Sequence, residues 1–184
     1  MHRDVCTGAH GDANALENVI AAARLLERQN SPVRFQFVGD GPEKQALIQL
    51  AADLQSVVFN NPVPKAEIPS HMAQADAILL SLRDVPLFRY GVSPNKLYDA
   101  YAIGRPVITT VAGSINAEVE TNRLGVTAEP GDPQALADAI LCLAQTPRRD
   151  REAMAARATQ LAYSTYSRQR INAEYNRLMH EVMA

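Results

Sequence analysis

Short β-like runs alternate with stretches of helical periodicity along nearly the whole chain, and that alternation leaves few architectures open. Residues 34–38 read as a strand with Phe35 and Phe37 on one face. Residues 77–82 are apolar throughout, the pattern of a parallel strand covered on both faces. Residues 5–7, 57–59, 106–109 and 125–129 read as further strands. Between them, Leu16, Val19, Ile20, Ala23 and Leu26 recur at helical spacing, predicting a helix over 13–28 with Asp12 as its cap. Pro42 suits the first turn of a helix over 42–54. Further helices are predicted over 68–74, 93–103, 133–145, 151–161 and 167–182, with a helical turn at 118–122 and a loop over 83–92. Strands separated by helices mean an α/β domain: a Rossmann-like, mainly parallel sheet of five or six strands with helices on both faces. The three terminal helices have no strand between them and are extra to that plan.

Such sheets bind ligands outside the carboxyl ends of their strands. The loops after Thr7, Val38, Phe59, Leu82 and Thr109 are therefore where function is sought. Composition narrows its class. A length of 184 residues suits one domain, and a net charge of −2 offers no electrostatic footprint for nucleic acid. Cys6 and Cys142 are too few for a disulfide framework and fit a reducing, cytosolic compartment. Met1-His2-Arg3-Asp4 runs straight into strand-like sequence, so no secretory signal is expected, and no apolar stretch approaches the ~20 residues that span a bilayer.

The segment around residues 90–108 carries the most chemistry. Ser93 is a good N-cap and Pro94 a good first helical residue. With Asn95 and Leu97 they form a helix start whose amides and partial positive charge suit a diphosphate. Lys96 adds a full charge in the first turn. Asp99, three residues on, lies one turn down the same face, where a carboxylate accepts hydrogen bonds from ribose hydroxyls. A capped helix with a surface Lys–Asp pair satisfies the same spacing without any ligand.

The run Asp99-Ala100-Tyr101-Ala102-Ile103-Gly104-Arg105-Pro106-Val107-Ile108 resembles the signature of family-4 retaining glycosyltransferases of the GT-B fold. The opening Ser93-Pro94-Asn95-Lys96-Leu97 is similar to a subgroup that builds bacterial surface polysaccharides such as O-antigen and capsule. Val38-Gly39-Asp40-Gly41-Pro42, then Ala73-Gln74-Ala75-Asp76-Ala77, then Gly131-Asp132-Pro133 with Leu136-Ala137-Asp138-Ala139-Ile140, follow the family in order. The resemblance implies one half of a GT-B fold. Residues 1–165 would bind a nucleotide diphosphate sugar, UDP-linked on family grounds. Residues 166–184 would form a helix packing back on an N-terminal acceptor-binding domain that this chain lacks, leaving Met179 and Val182 exposed. It implies retaining transfer to a polysaccharide or lipid-linked acceptor, no metal cofactor, and a cytoplasmic enzyme, able in its full-length form to work at the inner face of the membrane, that is inactive without its acceptor half.

There are departures. Gly91 stands where the family carries a Glu, Asp99 is shorter than the usual Glu, and Ala9 and Asn14 replace an Arg and a Lys that grip the diphosphate. The charge then falls on Lys96, backbone amides and Arg89. In the first loop, Gly8 and Gly11 allow close backbone approach, as turn geometry also would. His10 stands where sugar or phosphate could approach, or is a solvated loop histidine. Gly39 belongs to the second loop, and Pro62 and Val63 to a backbone shelf for the nucleobase. Asp40 makes a turn with Gly41, Lys44 reads as solvated rather than as a phosphate contact, Cys142 as core, and Arg148, Arg149 and Arg151 as a solvated helix start rather than a membrane patch. Two rivals remain: a non-catalytic nucleotide-sugar-binding module or subunit, and an NAD-dependent oxidoreductase. Against the latter, His10 and Ala13 interrupt the glycine pattern of dinucleotide folds.

Overall fold

The structure is a computed structural model that describes residues 3–183. In chain order the elements are β1 (Arg3–Thr7), α1 (Leu16–Arg28), β2 (Arg34–Val38), α2 (Lys44–Leu50), β3 (Val57–Asn60), α3 (Ile68–Met72), β4 (Ala77–Leu80), α4 (Pro86–Tyr90), α5 (Asn95–Ala102), β5 (Val107–Thr109), α6 (Ser114–Thr121), β6 (Gly125–Thr127), α7 (Pro133–Gln145), α8 (Arg148–Ser164) and α9 (Arg168–Met183). The strands form one six-stranded sheet in the order β3-β2-β1-β4-β5-β6. Every ladder is parallel. The order reverses beside β1, which opens a crevice at the carboxyl ends of β1 and β4.

Alternation along the strands sorts the core onto two faces. Phe35, Phe37, Ala77, Leu79 and Ile108 meet Leu16, Ile20 and Leu26 of α1 and Leu136 and Ile140 of α7. Ile78, Leu80 and Val107 meet Met72 of α3, Leu97 and Tyr101 of α5, Val119 of α6, and Ala158 and Ala162 of α8. Each fully buried Leu, Ile or Phe contributes ~1.5–3 kcal/mol of transfer free energy. The uniformly apolar run at β4 is thus explained, because its side chains enter both cores.

Several expected elements differ, each for a visible reason. The first helix does not start at Ala13 under Asp12. A 3-10 turn covers Asp12–Asn14, Ala15 adopts φ 46°, and α1 begins at Leu16. Asp12 is instead drawn to Arg83, whose guanidinium reaches its carboxylate at 2.5 Å and that of Glu17 at 3.0 Å. The helix expected over 42–54 shortens to α2, flanked by turns at 42–43 and 51–53, with Glu43 N–H bonded to the His10 carbonyl (2.9 Å). The supposed loop over 83–92 contains α4, started by Pro86. Ser93 does not cap α5: the N-cap is Pro94, extended at φ −77°, ψ 123°, and there is no side-chain cap. The turn at 118–122 is the end of a full helix, α6. Helix α8 starts at Arg148, three residues early.

Cys142 is exposed rather than core. The buried stripe of α7 is Leu136, Ala137, Ile140 and Leu143, and at 100° per residue position 142 points well away from it. Helix α9 has no buried residue. Its apolar positions Ile171, Tyr175, Leu178 and Val182 share one face and are 51%, 61%, 49% and 84% exposed. Met179 is exposed as well, as the sequence predicts.

Candidate functional site

The loops after β1 and β2 are joined by their backbones. Gly8 N–H donates to the Val38 carbonyl (3.1 Å) and His10 N–H to that of Asp40 (2.8 Å). The approach is close enough that a Cβ on Gly39 would stand 2.0 Å from the Gly8 oxygen. Asp40 accepts from Gly41 N–H at 2.8 Å, the expected turn. Lys44 is half-buried and bonded rather than free in solvent. Its ammonium donates to the carbonyls of Gly39 (2.8 Å) and Asn60 (3.1 Å), tying the second loop to the end of β3. Beside this joint lies a cleft of about 320 Å³ bounded by Gly8, Val38, Gly39, Pro62, Val63 and Ile68, among others. Four residues singled out in the sequence, Gly8, Gly39, Pro62 and Val63, therefore share one cavity.

His10 is the largest surprise of the first loop. It is 1% exposed, with its ring edge-on to Phe37 (6.2 Å) and Phe59 (5.9 Å). Both ring nitrogens are buried without a partner. Burial holds its pKa below the usual 6.5, with Lys44 and Lys96 adding to that effect and Asp40 opposing it. The sequence suggests either a ligand contact or a solvated histidine; the ring is neither exposed nor in the cleft lining. The aromatic pair that encloses it, Phe37 stacked on Phe59 at 4.9 Å, comes from two strands. Gly11 faces a different groove, of about 370 Å³, with Leu47 and Arg83. Asn14 donates its amide to the Ala9 carbonyl (2.8 Å), bracing the loop from within.

The start of α5 faces the same end of the sheet. Lys96 is close enough to depress His10. The Asp99 carboxyl is raised above its ordinary pKa by partial desolvation, while Lys65 pulls it down. Lys65 follows the Pro62-Val63-Pro64 loop, so Asp99, which is exposed, lies in electrostatic reach of that side of the helix, although neither Asp99 nor Lys96 is among the residues bounding the cleft. Sequence reasoning did not include Lys65, since no local pattern links it to position 99. Leu97 is 2% exposed and its N–H donates to the Pro94 carbonyl (3.0 Å). It therefore anchors the turn and its side chain offers a ligand nothing. The Ser93 hydroxyl lies 3.1 Å from that of Tyr98, and Asn95 is exposed. Arg89 is held by Asp84 through two bonds of 2.9 and 2.7 Å, so it is not free to serve a phosphate unless that pair opens. Arg148 pairs with Glu152 at 2.7 Å, and Arg151 donates to the Thr146 carbonyl at 3.0 Å; neither lies at this end of the sheet. Among the described residues, no group of three or more His, Cys, Asp or Glu side chains could hold a metal ion. No helix among them is long and apolar enough to cross a membrane.

Residues 3–146 match the profile of a family described as "Glycosyl transferases group 1". The amylovoran biosynthesis glycosyltransferase AmsK of Erwinia amylovora is 32% identical over 133 residues, 68% of this chain and 32% of that protein. A GDP-mannose-dependent alpha-(1-6)-phosphatidylinositol monomannoside mannosyltransferase of Mycolicibacterium smegmatis is 29% identical over 150 residues, 79% of this chain and 39% of its own length. Among solved structures, HepE of Anabaena with UDP-glucose superposes with a TM-score of 0.79 at 21% identity, over 97% of this chain and 48% of that one. The chain spans between 29% and 43% of the length of the curated relatives it matches.

Proposed function

The chain belongs to the glycosyl transferases group 1 family, and from that premise we propose that it binds the nucleotide part of a nucleotide-sugar donor for retaining sugar transfer. The observation that carries the reading is the placement of α5. The helix starts beyond the carboxyl end of β4, and the reading is supported by the electrostatic influence of Lys96 on His10 of the first loop and of Lys65, just after Pro62 and Val63, on Asp99. In this reading the nucleobase lies against Pro62 and Val63, Asp99 accepts from the ribose hydroxyls, and Lys96 with the amides of the first turn of α5 neutralises the diphosphate. As the glycosidic bond breaks, negative charge grows on the leaving diphosphate, and donors fixed in place stabilise it without reorganising. No metal is part of this scheme. UDP is the proposed nucleotide, which fits a structural neighbour solved with UDP-glucose, while a relative named for GDP-mannose makes GDP the competitor to test.

Acceptor binding is assigned to a domain outside this chain, because the relatives are more than twice as long and α9 presents an apolar face that nothing in the described residues covers. The proposed acceptor is a surface polysaccharide or a lipid-linked precursor, and the proposed place is the cytoplasmic side of the membrane. A second reading, a donor-binding module that acts only with a separate chain, rests on the same short span; copurification with an acceptor-binding protein would favour it.

Calorimetric titration with UDP, GDP and uridine, with and without a chelator, tests the site. Charge-assisted hydrogen bonds contribute ~1.5–3 kcal/mol, so Asp99→Asn should weaken UDP ~10- to 100-fold. Lys96→Ala should weaken UDP, less so at high salt, and leave uridine untouched. The chelator should change nothing. Equal losses of UDP and uridine on Lys96→Ala would overturn the assigned roles, as would wild-type UDP affinity in the Asp99 variant.

A further inference from the structure

Behind the donor helix lies a cluster that the proposed function does not use. Glu118, on α6, accepts from two tyrosines at once. Tyr101 of α5 donates to one carboxylate oxygen at 3.0 Å, and Tyr166 donates to the other. Tyr101 is fully buried. Burial, and the carboxylate that prefers a protonated partner, raise both phenols well above their usual range. Tyr166 sits in the short joint between α8 and α9, where its N–H closes onto the Ala162 carbonyl at 3.1 Å. The Tyr166 ring also lies 4.7 Å from that of Tyr98. Tyr98 hydroxyl is in turn 3.1 Å from Ser93, in the segment that opens α5. An unbroken series of contacts thus leads from the donor end of α5 to the pivot of the exposed terminal helix.

We propose that Glu118 is a positioning residue which, by holding Tyr101 and Tyr166 together, couples nucleotide binding at α5 to the ordering of the α8–α9 joint. The inference rests on the reading of α5 as the donor helix. A carboxylate has two acceptor oxygens and satisfies both phenols, whereas an amide has one. Glu118→Gln keeps one tyrosine as a donor to its oxygen and can hold the other only through a neutral N–H bond to the phenol oxygen, so the charge-assisted grip on the pair is lost. Linkage requires reciprocity: if a nucleotide favours the ordered joint, loosening the joint weakens the nucleotide by the same factor.

The experiment uses the 184-residue chain and titrates UDP and GDP against the wild type, Glu118→Gln and Tyr166→Phe. Binding is read by calorimetry. Tyrosine emission provides a second reading, since the chain has six tyrosines and no tryptophan and a phenol bound to a carboxylate is quenched. Hydrogen exchange over residues 164–168 provides a third. The wild type should show slower exchange at the joint when nucleotide is bound. Both variants should bind nucleotide about five- to tenfold more weakly and lose the slowing, and Glu118→Gln, which keeps all six tyrosines, should emit more strongly. Tyr166→Phe removes one hydroxyl and keeps the ring, so it reports even if Glu118→Gln does not fold. Variants that melt earlier but keep wild-type affinity and wild-type slowing would give the cluster a merely structural role and overturn the coupling. If Asp99→Asn weakens UDP while the Glu118 and Tyr166 variants do not, the coupling alone falls. If the wild type binds neither nucleotide, the donor reading falls with it.

Discussion

His10 shows how one side chain can have its chemistry set entirely by its surroundings. A buried donor or acceptor without a partner costs ~1–3 kcal/mol, and this ring carries two such nitrogens. Its burial against Phe37 and Phe59 returns apolar contact in exchange. The histidine also makes stability depend on pH. In the unfolded chain the ring takes up its proton as pH falls through about 6.5, whereas the folded ring resists, because burial and two lysines hold its pKa lower. The unfolded state then binds more protons, so stability is full above that value and declines as pH falls below it, levelling once the folded ring is also charged. His10→Phe keeps the ring packing and removes both nitrogens. It should flatten the decline and raise stability at neutral pH by about 1 kcal/mol. Urea unfolding at a series of pH values checks this, and an unchanged pH slope would show that another group controls it.

Elements whose ends carry their own chemical signals match the sequence closely, and those set by distant contacts do not. Helix α7 is the clearest of the first kind. Asp132 accepts from the N–H groups of Gln134 (2.9 Å) and Ala135 (3.0 Å), and Pro133 follows at the first helical position. Asp132→Ala should lower stability by about 1 kcal/mol, seen as a shift of the denaturation midpoint without a change in slope. Strand β2 was equally legible, since Phe35 and Phe37 alternate into one core. Helix α4 was not: five residues lie too close to loop composition, and its last turn is fixed by the Asp84–Arg89 pair and by the Arg89 carbonyl pressed on Gly113. The break at Ala15 was hidden for a similar reason, because Arg83, far along the chain, draws Asp12 away from the helix end. The candidate site divides in the same way. Its loops could be located from strand ends, and Gly8, Gly39, Pro62 and Val63 do meet. The closeness of Lys65 to Asp99, and the burial of His10, depend on how separate strands and loops come together, which no local pattern records.

At the scale of the whole molecule, α9 stands apart from both cores, since none of its residues is buried. Ending the chain after Ser167 should therefore leave the unfolding free energy of the remainder within about 0.5 kcal/mol, as for surface changes in general. Circular dichroism melts of the shortened chain test this, and a cooperative loss of the sheet would mean that α9 supports it. The sheet itself is less uniform than its six parallel strands suggest. Strand β1 registers with β2 at five positions but with β4 at only Asp4 and Val5. Helix α7, packed on α1, covers that joint on one face, and Arg83 crosses it at the carboxyl end through Ala13, Asp12 and Glu17. The molecule is in effect two three-stranded leaves, residues 3–60 and 77–127, stitched along a short seam. The direct strand pairing along the seam is short, and the leaves are held together there chiefly by the core that α1 and α7 share with both of them and by Arg83. A nucleotide lying across the carboxyl end would touch loops from both leaves, and so would act as a clasp on the folding unit as well as a substrate.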